Sequence, residues 1–238
     1  MDNINIEIGG FMNIAFLCTG NGSFFKFIYQ NRNLLNGIEN ILLFSDRECG
    51  VMSDFGDYKY ARIFHARDSR EFEVLALKWL IANRVDFCFL SCNKILRYEL
   101  LEYFGEEKKK MFNCHPALLP KYIGLNAIMD SFRNCDEIYG ATIHYVTKEV
   151  DMGEIVARCV LKRCDTNLKD YTHRLFVNQA VLFLDFVLKV SLEENFKILE
   201  GFNGEDSLGF IPHLSLECEK VKFFNALDYE LLVKENDR

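Results

Sequence analysis

The chain has 238 residues, 35 of them acidic and 28 basic, for a formal net charge of −7. That balance, without a basic stripe carrying interleaved aromatics, speaks against nucleic acid as the main partner. Half of the residues are hydrophobic and 22 are phenylalanine, which provides for one sizeable core, while no apolar run reaches the length that a bilayer demands.

Residues 1–11 read as a short N-terminal extension ahead of a second methionine, Met12. The acidic N-terminus lacks the basic region of a secretion leader. The nine cysteines are scattered without a CxxC pair, so reduced thiols in a cytoplasm fit better than a disulfide framework or a zinc site. Met12–Cys18 is a continuous apolar run, as expected of a strand buried on both faces. It stops at Thr19-Gly20-Asn21-Gly22-Ser23, and Phe24–Tyr29 then begins a helical stretch. Strand, glycine turn and helix together aim backbone N–H groups at an anion, although neither the dinucleotide fingerprint nor the P-loop pattern is complete.

Further strands are expected at Ile41–Phe44, Arg62–Phe64 and Val85–Leu90. Asp68-Ser69-Arg70-Glu71 has the spacing of a capping box, and the helix after it places Phe72, Leu75, Trp79 and Leu80 at helical intervals. Lys109–Phe112 reads as a strand entering the central stretch. Asn126–Phe132 reads as a short helix, and Gly140–Thr147 and Ile155–Val160 as strands. A last long helix, capped by Asp165 or Thr166, carries Leu168, Tyr171, Leu175, Val181, Leu184 and Val187 on its core face. Strands alternating with helices predict an α/β fold: a Rossmann-like, mostly parallel twisted sheet with helices on both faces. Residues 12–195 form the main domain. Residues 196–238, where glycines and Pro212 loosen the pattern, form a short C-terminal appendage of strands and turns.

The chain is organised around Asn113-Cys114-His115-Pro116-Ala117-Leu118-Leu119-Pro120-Lys121-Tyr122-Ile123-Gly124, which holds two of its 3 prolines. Proline removes a backbone donor and fixes φ, so Asn113 and His115 should stand at a strand end, where open α/β sheets place their chemistry. Asp151 follows a later strand. An imidazole and a carboxylate can share proton transfer near neutral pH, and a carboxamide N–H can stabilise an oxyanion; together they suit acyl transfer to an amine. No G-x-S-x-G elbow supplies a nucleophile, and Cys114 should face away from Asn113 and His115 as packing.

Asn113-Cys114-His115-Pro116-Ala117-Leu118-Leu119-Pro120-Lys121-Tyr122-Ile123-Gly124, followed by Gly140-Ala141-Thr142-Ile143-His144-Tyr145-Val146 and by Asp151-Met152-Gly153-Glu154-Ile155, resembles the folate-dependent formyltransferases, most of all their phosphoribosylglycinamide branch. The resemblance runs from about Met12 to Glu194 and implies a formyltransferase catalytic domain over residues 12–195. It implies transfer of a formyl group from N10-formyltetrahydrofolate, a co-substrate, to a primary amine. Asn113, His115 and Asp151 match the family's catalytic residues, and no metal is implied. The pterin would lie near Asn93, Lys94, Ile95, Leu96, Val146, Thr147 and Val150. A phosphate on the acceptor would sit on Gly20, Asn21, Gly22 and Ser23, with Gly124 and His144 shaping the site; for His144 a cross-strand packing role is an equal alternative. A cis Leu119–Pro120 bond is implied but not decided. The acceptor stays open between glycinamide ribonucleotide, for purine biosynthesis, and a nucleotide-linked amino sugar, for cell-surface polysaccharide. Two departures bear on it: Phe24 stands where the family's phosphate loop continues with asparagine, and Gln179 stands near a helical glutamate of the glycinamide enzymes. A small-molecule amine as partner, no membrane, and a monomer or homodimer complete the expectation.

Overall fold

The computed structural model describes residues 11–192 and 208–223. Apart from Phe11, the expected N-terminal extension lies outside those residues, as does most of segment 196–238. Eight strands form one sheet in the order β3-β2-β1-β4-β5-β6-β7-β8. They are β1 (Met12–Cys18), β2 (Ile38–Ser45), β3 (Ala61–Ile63), β4 (Val85–Ser91), β5 (Met111–His115), β6 (Ile138–Tyr145), β7 (Ile155–Lys162) and β8 (Gly209–Ile211). β3, β2, β1, β4 and β5 pair in parallel, and β6, β7 and β8 continue as antiparallel neighbours. The helices are α1 (Ser23–Gln30), α2 (Gly50–Phe55), α3 (Ser69–Ala82), α4 (Ala127–Asn134) and α5 (Leu168–Ser191), with a π-helical segment at Leu101–Glu107.

The unbroken apolar run of β1 has a direct cause. Ile14, Phe16 and Cys18 enter the core under α1 and α5, while Ala15 and Leu17 enter the one under α3, so every position from Ile14 onward is covered. Phe16, Phe89 and Phe183 meet at ring centroid separations of 5.2–5.9 Å and lock α5 onto the sheet. α3 begins as expected, with Glu71 N donating to Asp68 Oδ1 at 2.9 Å. The return bond differs: the Glu71 carboxylate accepts from Arg67 N, one residue before the cap.

Two expected boundaries shift for reasons the structure shows. Lys109 has φ 50, a left-handed conformation that no strand tolerates, so β5 starts at Met111. The cap of α5 is Asn167, whose side chain accepts from Asp170 N at 3.0 Å. Asp165 is drawn away by Arg174, 3.2 Å from its carboxylate, and by the Tyr139 hydroxyl at 2.7 Å. α2 and the π-helical segment were not foreseen.

The described C-terminal residues are tied to the same body. β8 extends the sheet along β7. The buried Asp185 carboxylate accepts from Ser215 N and Leu216 N, and the Asn31 side chain accepts from Lys222 N at 2.6 Å and donates to Lys222 O. Among the described residues no helix is long and apolar enough to cross a membrane, and the eight cysteines with described side chains are free.

Candidate active site

A cleft of about 520 Å³ opens where the loops after β1 and β4 diverge and β5 ends. This is the reversal point of strand order, where the carboxyl ends of parallel strands leave a crevice. Every residue singled out above for catalysis, donor or acceptor lines it, and Leu90, Ser91, Cys92, Thr172, Leu175, Phe176 and Gln179 join them.

β5 explains the wall that carries Asn113 and His115. Phe112 and Cys114 point into the core under α1 and α5, and Met111 points into the core under α3. Asn113 and His115 continue the Met111 face just where its helical cover ends, so two polar groups emerge into the cleft. Cys114 is buried, and burial pushes its thiol well above the ordinary range; it packs, as expected, and is no nucleophile. Across the antiparallel pairing, His144 of β6 lies opposite Asn113.

Asp151 is the hub. Its carboxylate lies 3.5 Å from Asn113 Nδ2, 3.4 Å from His115 Nδ1 and 3.5 Å from His144 Nε2, and accepts from Gly124 N at 2.9 Å. It sits at φ 56, in the left-handed region that aspartate tolerates better than most residues. Two residues on in its loop, Gly153 is obligatory: a Cβ there would meet the Tyr145 carbonyl oxygen at 1.8 Å.

The backbone sets the tautomers, because a carbonyl only accepts. His144 Nδ1 donates to Tyr145 O and His115 Nε2 to Tyr122 O, both at 2.8 Å. In a neutral His115 the lone pair therefore sits on Nδ1, facing Asp151. Burial holds the His115 pKa below its ordinary value, against the pull of Asp151 and of the Tyr122 carbonyl. Burial by itself would raise the Asp151 pKa, but the contact with His144, the His115 charge and the Gly124 N–H outweigh it and hold the carboxyl below its usual range. Near neutral pH the pair is thus a neutral imidazole beside a carboxylate, ready to take a proton. Asn113 Nδ2 makes only long contacts, 3.3 Å to His144 and 3.5 Å to Asp151, and can turn to a better acceptor.

The two wings differ. On one side the Lys94 ammonium is engaged by Asp46 at 2.8 Å, so Asn93–Leu96 offers mainly backbone and the half-exposed Ile95. The chain beyond is pinned by the fully buried Glu73, whose carboxylate accepts from the N–H groups of Arg97, Tyr98 and Leu101. On the other side Gly22 caps α1 at φ 62, without a side-chain cap bond. The first helical bond there runs from Lys26 N to Gly22 O, which leaves the N–H groups of Ser23, Phe24 and Phe25 ahead of it. Phe24 packs against Phe176 and Phe183 of α5, with ring centroids 5.4 and 5.7 Å away, and so turns largely inward. The Gln179 amide nitrogen is held by the Cys114 carbonyl at 2.8 Å. Leu119–Pro120 is cis.

Sequence reasoning missed Tyr122, whose contribution to the cleft is a carbonyl, and Glu73, which acts on backbone from below; neither contact leaves a mark in residue type.

A family model described as formyl transferase matches residues 12–176. The chain is 49% identical over 47 residues to a phosphoribosylglycinamide formyltransferase of Haemophilus influenzae, covering 20% of this chain and 22% of that protein. It is 37% identical over 136 residues to a methionyl-tRNA formyltransferase of Borreliella afzelii, covering 56% of this chain and 38% of that protein. The chain thus spans less than half the length of these curated relatives. Its fold is like that of a phosphoribosylglycinamide formyltransferase from Streptococcus pneumoniae, with a TM-score of 0.66 at 24% identity over 76% of this chain and 99% of the other.

Proposed function

The chain belongs to the formyl transferase family, and from that premise we propose that it transfers a formyl group from N10-formyltetrahydrofolate to the primary amine of a small phosphorylated acceptor, with glycinamide ribonucleotide as first choice. The observation that carries the chemistry is Asp151 within 3.5 Å of Asn113, His115 and His144 on the wall of one cleft. The amine attacks the formyl carbon and the carbonyl oxygen gains charge. Asn113 Nδ2 donates to that oxyanion. The proton leaving the attacking nitrogen passes to Asp151, directly or through a water, and His115 Nδ1 shares it. The C–N10 bond then breaks, N10 takes a proton, and tetrahydrofolate leaves.

The pterin lies between Asn93–Leu96 and Val146–Val150, held by backbone groups and by Ile95 and Val150, both apolar and partly exposed. The acceptor's phosphate lies at the Gly20–Ser23 turn against the first N–H groups of α1. The inward packing of Phe24 supports this choice, because it leaves that turn unobstructed. A second reading, an amino sugar carried on a nucleotide, is favoured by the half-buried Phe24 and Phe176 rings along the same wall, which suit a flat partner. An acceptor carried on tRNA, as the name of one relative suggests, fits poorly with a net charge of −7.

The test is a panel of amines incubated with 10-formyltetrahydrofolate and read by absorbance of released tetrahydrofolate. The expected result is the highest kcat/KM with glycinamide ribonucleotide. A value orders of magnitude below that for an amino-sugar nucleotide would replace the first choice with the second.

A further inference from the structure

The turn Lys121–Gly124 contributes two backbone groups to the site, one to each member of the proton-transfer pair. The Tyr122 carbonyl accepts from His115 Nε2 at 2.8 Å, and the Gly124 N–H donates to Asp151 Oδ2 at 2.9 Å. The turn reaches both only through an unfavourable conformation: Tyr122 has φ 57 and Gly124 φ 92. Glycine adopts such angles readily, whereas a bulky residue persists there only when its surroundings over-determine it.

What holds Tyr122 is its phenol, on the far side of the turn from the cleft. The hydroxyl donates to Asp136 Oδ2 at 2.6 Å and accepts from Asn134 Nδ2 at 2.7 Å. Asn134 also donates to Asp136 Oδ1 at 2.7 Å, and Lys121 Nζ lies 3.2 Å from Asp136. Cys135, between them, caps α4 at φ 56 and turns Asn134 and Asp136 toward the same hydroxyl. The partners are complementary: a carboxylate accepts a hydrogen bond from the phenol, an amide donates to the phenol oxygen, and an ammonium balances the carboxylate.

We propose that Tyr122 and Asp136 are positioning residues: their side-chain bond holds the turn whose backbone fixes the His115 tautomer and orients Asp151. This rests on the formyl-transfer reading only where turnover is measured; the tautomer is a property of the protein itself. His115 faces Asp151, His144 and the Tyr122 carbonyl; Tyr122 faces Asp136, Asn134 and Tyr171, and Lys121 pairs with Asp136. The carbonyl raises the His115 pKa, so a loosened turn lets it fall further.

The test compares the intact protein with Tyr122→Phe, Asp136→Ala and Asp136→Asn, by two measurements. Nitrogen-15 NMR of His115 should give the Nε2–H tautomer in the unaltered protein. In Tyr122→Phe and Asp136→Ala it should give a tautomer mixture and a lower titration midpoint. Asp136→Asn, whose amide oxygen can still accept a hydrogen bond from the phenol, should retain most of the original signature. Formyl-transfer kinetics should show kcat about ten- to a hundredfold lower in the first two variants, with both KM values within about threefold, since misplacing catalytic groups acts on the chemical step. An unchanged His115 tautomer and midpoint in both Tyr122→Phe and Asp136→Ala would overturn the proposal whatever the turnover. Should Tyr122→Phe not fold, the two Asp136 variants decide by the same signature. If the unaltered protein transfers formyl to no amine, the functional reading falls while the tautomer result still decides this one.

Discussion

Gln179 and Cys114, 65 residues apart, are joined by one hydrogen bond of 2.8 Å from the side-chain amide of the first to the carbonyl oxygen of the second. Helix α5 thereby grips the main chain between Asn113 and His115 from the side of the sheet that it covers. The same bond answers what Gln179 does: its nitrogen is taken by the strand rather than offered to an acceptor. Gln179→Met removes the donor at similar volume and takes a hydrogen-bond partner from a buried carbonyl. The expected loss is about 1–3 kcal/mol of stability, read from the midpoint of urea unfolding. A midpoint equal to that of the parent would mean the bond contributes nothing.

His115→Ala should lower formyl-transfer turnover by about 10²–10⁴-fold, the usual range for a general acid–base group. Asn113→Ala should lose about 10²–10³-fold, as for an oxyanion donor. Both variants should keep the circular dichroism and cooperative melt of the parent, because both side chains stand at the end of β5 where the helical cover stops. A variant turning over at near-parental rate would remove its residue from the mechanism.

Both acidities in the His115–Asp151 pair lie below their ordinary values of 6.5 and 3.8. The folded protein therefore binds these protons less readily than the unfolded chain does. Their effect on stability is at its most favourable above the ordinary values and diminishes as pH falls, first through His115 below about 6.5 and then through Asp151 below about 3.8. kcat/KM should follow with an acid limb below the ordinary histidine value, since protonated His115 no longer accepts. A pH profile from 4.5 to 8.5 on the parent and on Asp151→Asn is the measurement, about four units in the range where histidine titrates. A limb at or above the ordinary histidine value would contradict the assignment.

Gly153→Ala should cripple the enzyme without touching a reacting group. Its Cβ would fall 1.8 Å from the Tyr145 carbonyl oxygen, so the loop carrying Asp151 must shift. A displacement near 1 Å at a catalytic group can lower the rate about 10²-fold. A crystal structure of the variant beside its kinetics would check both halves, and full activity would mean that Asp151 tolerates the movement.

Much of this was legible in the chain, for local reasons. The unbroken apolar run of β1 reports burial on both faces, and the Asp68–Glu71 spacing marks the start of α3. Asn113 and His115, two apart before a proline, share a face. What stayed hidden depends on distant partners. Asp165 has the chemistry of a cap, yet Arg174 and Tyr139 claim it, and Asn167 takes the role. Lys109 and Lys110 look like the entry to a strand, but the π-helical segment delivers the chain in a left-handed turn. The grip on His115 comes from a main-chain carbonyl, which every residue possesses and no sequence pattern singles out.

Buried Glu73 gives the cleft unequal jaws. The Asn93–Leu96 jaw runs into a carboxylate sealed from solvent, where water cannot compete for the three N–H groups it binds. The opposite jaw is moored differently: Lys148 N reaches an exposed Glu106, and the Met152 N to Glu149 O bond is a long 3.3 Å. A ligand wedged between them would push the second jaw and leave the first in place. Under the proposed function, Asp151 would ride on the less firmly held jaw and the Asn93–Leu96 wall would stay in place on ligand binding. Amide exchange would register this as slow at Arg97 and Tyr98 and fast at Lys148 until the folate is bound.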